Sequence, residues 1–537
     1  MHPVILVYGI LAIAALRLLY ISISAIASPT RHIPGPFLAR FSRLWYFRTV
    51  WTGEAEKHNI ALHRKYAKNG QYYAPIVRLG PNMFSVIDPD KQVYGISSKM
   101  RKSDWYEGWK HPSPERWTLF PDRDIQRHNE TRKKFQNIYS LSSLVSYEKY
   151  VDDCAAIFQD RLGDMATSGK FVDMGHWFQC YAFDVIGAIT YSRRFGFLDK
   201  GEDVGGIIAA LDANMSYSTL VGVYAWLHPY LYELLQRLPN SGAAGRQLLM
   251  KFAKDNKATK EAQRQAWDIE GKGVEEKEEG TPEDFLDKIL DMKRDNQKGV
   301  TDYHCFIMTL SNIIAGSDTT AVSLSAILYH LIRTPSAMQK LREEIRKRTD
   351  EGACEAHRVS FKDSQNMPYL QACIKEGLRV HPAVGLPLWR TVNNGGVEIS
   401  GEYLPAGSEV GINAWVSHND QEVWGPDAHE FRPERWIEAE SEGGERLKFL
   451  EAHYLPVSLP CQGDDPETDS TRQFGLGSRT CLGKHISYLE MTKLVPQIVR
   501  NFDFELQHPD VEWSCKNYWF VKPANFHVRV RRLEKHD

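Results

Sequence analysis

The chain has 537 residues, 42% of them hydrophobic and 25% charged, with 66 Lys plus Arg against 68 Asp plus Glu. These ordinary proportions exclude a disordered, collagen-like or wholly membrane-embedded chain, and the near-neutral balance leaves no basic field to draw in nucleic acid. Eight cysteines, with no CxxC pair or zinc-finger spacing, exclude a disulfide scaffold and fit reduced thiols in a reducing compartment.

In chain order, the first element is an apolar run over residues 3–27, interrupted by Arg17. As a helix it extends about 37 Å, enough to cross a hydrocarbon core of about 30 Å with tilt. Ala25-Ile26-Ala27 resembles a cleavage site. No Lys or Arg precedes the run, however, and it exceeds an ordinary signal core, so a retained anchor is expected. Arg31, Arg40, Arg43 and Arg48 follow it and assign that flank to the cytosol. The sequons Asn129-Glu130-Thr131 and Asn214-Met215-Ser216 are then expected to stay bare. Pro34-Gly35-Pro36 makes a stiff tether that cannot continue a helix. The expected organisation is an anchor over 1–28, a tether over 29–50 and one large domain over 51–537.

Residues 73–78 and 83–87 predict a hairpin around Pro81-Asn82. Helical periodicity dominates from residue 126 to about 264, and the charged run 268–287 reads as a solvated loop. Long helices are predicted over 301–333 and 368–379. Short strands are predicted near 397–399 and 409–413, and a last pair at 502–506 and 527–531. The class is mainly α with small β-sheets.

The strongest local pattern is Phe474-Gly475-Leu476-Gly477-Ser478-Arg479-Thr480-Cys481-Leu482-Gly483. Its glycines permit a tight loop whose amides aim at a sulfur. A helix is predicted from Leu482 to about Phe502, and its N-terminus, with Arg479, favours thiolate at Cys481. Gly483 leaves room for a flat cofactor. A lone Cys-x-Gly reads as a buried free thiol; the ten-residue pattern does not. The segment resembles the haem-binding signature of the cytochrome P450 family at every defining position, and the resemblance runs from Pro34 to the final hairpin. It implies the P450 fold behind one transmembrane helix and haem b as cofactor. By the same resemblance Cys481 is the axial iron ligand, with Phe474 and Gly483 in the haem loop.

Glu376 and Arg379, at i and i+3, share a helix face. Together with Phe431-Arg432-Pro433-Glu434-Arg435-Trp436, the resemblance implies a buried charged network of Glu376, Arg379 and Arg435 behind the haem. The helix around Ile313-Ile314-Ala315-Gly316-Ser317-Asp318-Thr319-Thr320 is apolar on every face and so buried. A glycine there costs about 1 kcal/mol relative to alanine, and a buried acid needs partners. By resemblance this is the oxygen-activation motif: Ala315 and Gly316 open a groove, while Asp318 and Thr319 relay protons. His128-Asn129-Glu130-Thr131-Arg132 resembles the family's Trp-x-x-x-Arg with His for Trp. The resemblance then assigns His128, Arg132, Arg390 and Arg479 to the haem propionates.

The functional expectation is a monooxygenase that uses O2 to hydroxylate a lipophilic small molecule, or to demethylate, epoxidise or desaturate it. The chain ends soon after the haem loop, so electrons from NADPH and flavins are expected through a separate NADPH-cytochrome P450 reductase, with cytochrome b5 as a second partner. The expected location is the endoplasmic reticulum membrane, with the catalytic domain in the cytosol. Ile314, Ala315, Val384, Leu386 and Phe520 are the expected substrate contacts; Trp105, Tyr106, Trp109, Trp117, Tyr217, Tyr224 and Trp226 crowd the lid segments, and Trp519 sits with Phe520 in the last loop. Ile33-Pro34-Gly35-Pro36, Phe183-Asp184-Val185-Ile186-Gly187 and Arg194-Phe195-Gly196-Phe197 resemble fungal microsomal enzymes of the pisatin demethylase and benzoate hydroxylase kind, which oxidise secondary metabolites. Two alternatives stay open. One is an isomerase or dehydratase on the same fold, disfavoured by Asp318-Thr319; the other is a haem-based sensor or carrier without turnover. Residues 438–473, with Cys461, read as a surface insertion.

Overall fold

Helix α1 (Pro3–Ala27) is long and apolar enough to cross a membrane, and its window Val7–Ala27 buries nothing against the rest of the chain. The computed structural model describes residues 3–68, 70–95, 97–269, 283–355, 358–455 and 477–533. The stretch expected as a tether is docked. Ile33, Ala39, Tyr46 and Val50 are buried, and the amide of Arg78 donates to the Pro34 carbonyl at 2.7 Å. A Cβ on Gly35 would lie 2.5 Å from the Arg78 carbonyl oxygen, so only glycine lets the chain run this close to the sheet. Helix α2 (Leu44–Trp51) follows.

The body is built on α3 (Ile125–Phe135), α4 (Glu148–Ser168), α5 (Met174–Tyr191), α6 (Ile207–Val223) and α7 (Gly242–Ile269). They are joined by α8 (Asp302–Arg333), α9 (Pro368–Val380) and α10 (Lys484–Asn501). The strands are β1 (Ile76–Gly80), β2 (Met83–Val86), β3 (Phe171–Asp173), β4 (Arg390–Thr391), β5 (Glu409–Ile412), β6 (Phe502–Leu506), β7 (Cys515–Tyr518), β8 (Phe520–Pro523) and β9 (His527–Arg532), with a separate small hairpin of Val397–Ile399 and Glu402–Leu404. One sheet runs β1-β2-β5-β4, with β2 and β5 parallel and Met83 opposite Glu409. A second runs β3-β9-β6, and β7 and β8 form a hairpin. The predicted hairpin at Pro81-Asn82 forms between β1 and β2.

The organising element is α8. Thr301 caps it through a reciprocal pair with His304, and apolar side chains then bury most of its circumference. It crosses α5 and α9 at small residues: a Cβ on Gly316 would lie 3.0 Å from the Ile186 side chain, and one on Gly377 would lie 2.7 Å from Ile327. The motif around Asp184 closes on the one around Phe195. The buried Asp184 carboxylate accepts the amides of Gly196, Phe197 and Leu198 at 2.8, 3.3 and 2.9 Å.

Two expectations shift. The helix expected from Leu482 begins at Lys484, because the chain makes a turn through Cys481 and Leu482 before Gly483 caps it. The charged run is not all solvated loop. Asp284 caps the helix Phe285–Arg294 and pairs with buried Lys260 at 2.5 Å, and such pairing is what permits burial. Residues 270–282 of that run lie outside the described residues, as do Phe474 and Cys461.

Candidate active site

Cys481 sits in the turn before α10, and the amides of Gly483 and Lys484 point at its sulfur. Burial pushes the thiol pKa up, while those amides and the Arg132 and Lys484 charges act against the rise. Its surface is nevertheless open. The same holds along one stripe of α8, where Ala315 is exposed and Ile314, Gly316 and Thr319 are half-buried in an otherwise buried helix. A Cβ on Gly483 would meet nothing within 4 Å. Open surface deep within the fold, on a thiol and on a helix stripe, describes a cleft with room for a flat group. Gly316 departs from expectation, since its missing side chain faces Ile186 and serves the α5–α8 crossing.

Cations gather nearby. Arg132 Nη1 donates to the Thr480 carbonyl, and Arg479 Nη1 donates to the Asp122 carbonyl at 2.8 Å. Arg390 Nη1 donates to the Trp389 carbonyl at 3.0 Å, and its backbone bridges to that of Lys102. Lys102 Nζ donates to the Phe120 carbonyl and lies 4.4 and 4.2 Å from the ring centroids of Tyr106 and Phe120. Burial, followed by Arg390 and Arg479, holds the Lys102 pKa well below the ordinary lysine range. Burial and then Arg390 pull Arg479 down to about 10, and burial followed by Arg479 pulls His128 to about 3, leaving its ring neutral. Asp122 spends its carboxylate on Arg127, at 2.7 Å from both Nε and Nη2.

Among the described residues, none of Lys102, Arg132, Arg390 and Arg479 forms an ion pair, and Arg479 Nη2 is buried with no hydrogen-bond partner. Buried charge without compensation is expensive, so the cluster calls for an anionic group. A thiol for iron, an open stripe for a flat ring and unpaired cations for two carboxylates fit haem. Lys102 escaped the sequence reading because its link to Arg390 is a fold contact, with no motif around it.

Asp318 and Thr319 point different ways. Thr319 lies on the open stripe and donates its hydroxyl to the Ala315 carbonyl at 2.8 Å. Asp318 is fully buried on another face. There Oδ1 accepts from Gln179 Nε2 at 2.5 Å and from Lys522 Nζ at 3.0 Å, while Oδ2 is buried without a partner. Lys522, on β8, also pairs with Asp212 of α6. Burial raises the Asp318 pKa, with Lys522 opposing and Asp212 adding to the rise.

Glu376, Arg379 and Arg435 meet as expected. Arg379 Nε and Nη2 donate to the Glu376 oxygens at 2.9 and 2.7 Å, and Arg435 Nε reaches Oε1 at 3.4 Å. Trp436 Nε1 and the amide of Arg432 complete the carboxylate shell at 2.9 and 3.1 Å.

Of the expected substrate contacts, Ile314 and Ala315 lie on the open stripe, and half-buried Val384 bridges to Phe520. Leu386 is instead a residue of the main core. Phe520 belongs to the same core. Trp105, Tyr106 and Trp519 are also packed inward, ring on ring, with centroids 5.0–6.4 Å apart.

The cytochrome P450 family model matches residues 42–528. Among curated proteins, pisatin demethylase of Fusarium vanettenii is 35% identical over 96% of this chain and 91% of its own. The cytochrome P450 monooxygenase cicH of Emericella nidulans is 35% identical over 93% of each chain. The monooxygenase gsfF of Penicillium aethiopicum is 32% identical over 94% of this chain and 93% of its own. With a match that spans nearly the whole length and a cleft whose residues fit haem, the chain belongs to the cytochrome P450 family of haem-iron monooxygenases.

Proposed function

We propose that this enzyme oxidises a lipophilic small molecule of fungal secondary metabolism, taking electrons from a separate membrane-bound NADPH-cytochrome P450 reductase. The observation that carries the reading is that Arg132 acts on Cys481 and Arg390 and Arg132 act on Arg479, while Thr320 and Ser487, 2.9 Å apart, join α8 with its open stripe to the helix that Cys481 precedes. Haem held there supplies the chemistry of dioxygen activation through its iron. Cys481 would hold the iron as thiolate, with the Gly483 and Lys484 amides tempering the sulfur. Arg132, Arg390, Arg479 and Lys102 would hold the propionates; neutral His128 adds a hydrogen bond.

Thr319 would accept and pass a proton through its hydroxyl, whose lone pairs stay available while its hydrogen rests on the Ala315 carbonyl. Asp318 is the proton store. Burial raises its pKa against the pull of Lys522, Lys522 and Gln179 fix Oδ1, and Oδ2 is left to exchange a proton. Because the two side chains lie on different faces, a water or a turn of the carboxyl links them. Ile314, Ala315 and Val384 form the apolar wall against the substrate.

Residues 1–28 anchor the enzyme in the endoplasmic reticulum membrane, 29–50 dock the anchor to the sheet, and 51–537 form the cytosolic catalytic domain. An exposed apolar rim supports that placement: Phe37, Leu38, Leu44 and Trp51, with Trp226, Tyr230 and Leu234 beyond the Phe47–Tyr224 ring contact. Asn214 is buried and accepts from Arg246, so its sequon is closed in the fold whichever side it faces.

The test is an exact-mass comparison of lipophilic metabolites from the native host with and without the gene. A precursor and missing product that differ by an added oxygen, a lost methylene or two lost hydrogens support monooxygenation. A missing product isomeric with its precursor overturns it in favour of rearrangement.

A further inference from the structure

The body grips the chain almost at once after α1. That helix ends at Ala27, and Thr30, three residues on, is already buried. Arg78 of β1 holds it there: Nη2 donates to the Thr30 carbonyl at 2.6 Å and to Thr30 Oγ1 at 3.1 Å. The Ile33 amide donates to the same carbonyl at 3.0 Å, and the Arg78 amide to that of Pro34 at 2.7 Å. Three residues span about 11 Å at full extension. The polar layer outside a hydrocarbon core is about 5–8 Å deep on each side. With α1 across the membrane, the Arg78 guanidinium therefore lies at the outer edge of the headgroups.

Two more cations share that depth. Arg40 Nη1 donates to the Arg31 carbonyl at 2.7 Å, and Arg31 Nη1 to the Ile26 carbonyl at 3.3 Å. Burial and then the charge of Arg40 draw the Arg78 pKa down to about 10, which places Arg40 within electrostatic reach of it. Arg78 is 2% exposed; its Nη1 donates to the Gly80 and Pro81 carbonyls, and its Nε is buried with no hydrogen-bond partner. The carboxylates that this stretch of chain meets go to other bases, Glu402 to His32 and Glu409 to Arg43. Among the described residues, Arg31, Arg40 and Arg78 form no ion pair, and every acceptor they have is a carbonyl or a hydroxyl. Positive charge held on neutral acceptors leaves room for an anion. Arg31 is exposed and Arg40 half-buried, and only Nη1 of each is engaged among the described residues. Guanidinium nitrogens are thus free to take phosphate oxygens.

The kind of anion follows from what stands beside the arginines. Phe37 and Leu38, in the 3-10 turn Phe37–Arg40, are 72% and 60% exposed. A free phosphate ion has no use for them, whereas a phospholipid offers acyl chains next to its phosphate. We propose that Arg31, Arg40 and Arg78 form a binding site for the phosphate of an anionic phospholipid, with Phe37 and Leu38 entering the layer beside it. The proposal rests on the reading of α1 as a membrane anchor. Because Arg78 belongs to β1, a lipid held there fixes the height of the sheet, and of the body built on it, above the membrane.

The experiment uses the full-length haem-loaded chain in detergent micelles, read by native mass spectrometry, with phosphatidylserine, phosphatidylcholine and inorganic phosphate as probes. One phosphatidylserine should be retained in preference to phosphatidylcholine. The preference should fall about fivefold in Arg40→Gln and about fivefold again when Arg31→Gln is added. Arg48→Gln removes an exposed arginine of α2 and should leave the preference unchanged. An equal loss in Arg48→Gln overturns a built site in favour of diffuse attraction. Inorganic phosphate retained as firmly as phosphatidylserine overturns the lipid as source of the phosphate. Arg78 is followed by hydrogen exchange, since removing a buried cation threatens the fold. The Ile33 and Arg78 amides should exchange more slowly with phosphatidylserine bound, and unchanged exchange there puts the lipid elsewhere and overturns the site. The anchor is tested apart, by washing microsomes with alkaline carbonate. Release of the chain overturns the anchor reading; retention with no preference for phosphatidylserine overturns the phosphate site alone.

Discussion

Replacing Arg379 by alanine removes five hydrogen bonds from a site with no access to water. Two go to Glu376, and the others go to the carbonyls of His418, Ala428 and Glu430 at 2.8, 2.6 and 2.8 Å. Both side chains of the pair are fully buried, so solvent screening gives no discount. Breaking a buried pair costs about 3–5 kcal/mol, and each stranded carbonyl adds about 1 kcal/mol or more. The sum is at least roughly 6 kcal/mol, against a whole-protein stability of about 5–15 kcal/mol. Arg435 cannot take over, since it stands 3.4 Å from Glu376 and is already committed to Asp427 at 3.0 Å. Arg379→Ala should therefore yield little folded, haem-loaded protein. The assay is haem per polypeptide, from the reduced carbon monoxide difference spectrum, together with near-ultraviolet circular dichroism. Normal haem content and a denaturation midpoint near that of the parent would refute the assignment of these charges to the core.

Thr319→Ala should keep haem yet consume NADPH largely without product, a several-fold loss of coupling read by comparing oxygen uptake with product; full coupling would remove Thr319 from the proton path. Lys522→Met deletes the cation that opposes the burial-driven rise of the Asp318 pKa, so the carboxyl should hold its proton to higher pH. The alkaline limb of the kcat profile should then move upward, and an unmoved limb counts against Asp318 as proton store. Glu409 is raised by burial from 4.5 to about 8. A raised folded-state pKa means its contribution to stability is fully present below 4.5 and lost as pH rises through about 8. Glu409→Gln should flatten the fall in denaturation midpoint across that window, and a slope equal to the parent's would show that another group is responsible.

What the sequence made legible was whatever chemistry forces into a fixed spacing. The turn at Cys481 must bring amides to a sulfur, and Glu376 with Arg379 must share a helix face, so both read directly as strings. The hairpin at Pro81-Asn82 and the buried α8 followed from local turn chemistry and periodicity. What stayed hidden depends on contacts between distant segments. Lys102 gains meaning only from its bridge to Arg390, and Lys522 only from meeting Asp318 and Asp212. Adjacent in sequence, Asp318 and Thr319 face different ways, because successive helix residues diverge by about 100°. The burial of Leu386 and Phe520 in the main core likewise depends on distant segments and has no local signal.

Three buried charge sites then differ in how far each is satisfied, and the difference sorts their roles. Glu376 has two arginines, an indole and an amide on its two oxygens; burial raises its pKa, yet Arg379 and Arg435 outweigh that and hold it below the usual carboxylate range. Nothing remains there for a ligand or a proton to take, so the site is structural. The cations at Lys102, Arg132, Arg390 and Arg479 are short of anions among the described residues; Lys102 is depressed by burial, then Arg390 and Arg479, and Arg479 by burial, then Arg390. That deficit is relieved by a dianionic group rather than by any described side chain. Asp318 lies between, with one oxygen fixed and the other unpartnered, and its pKa raised by burial. A carboxyl in that state has a defined position and one oxygen left to bond, which neither a fully satisfied nor a fully solvated acid combines. Lys522 opposes the burial-driven rise, so the cation on β8 tunes how readily that carboxyl exchanges a proton.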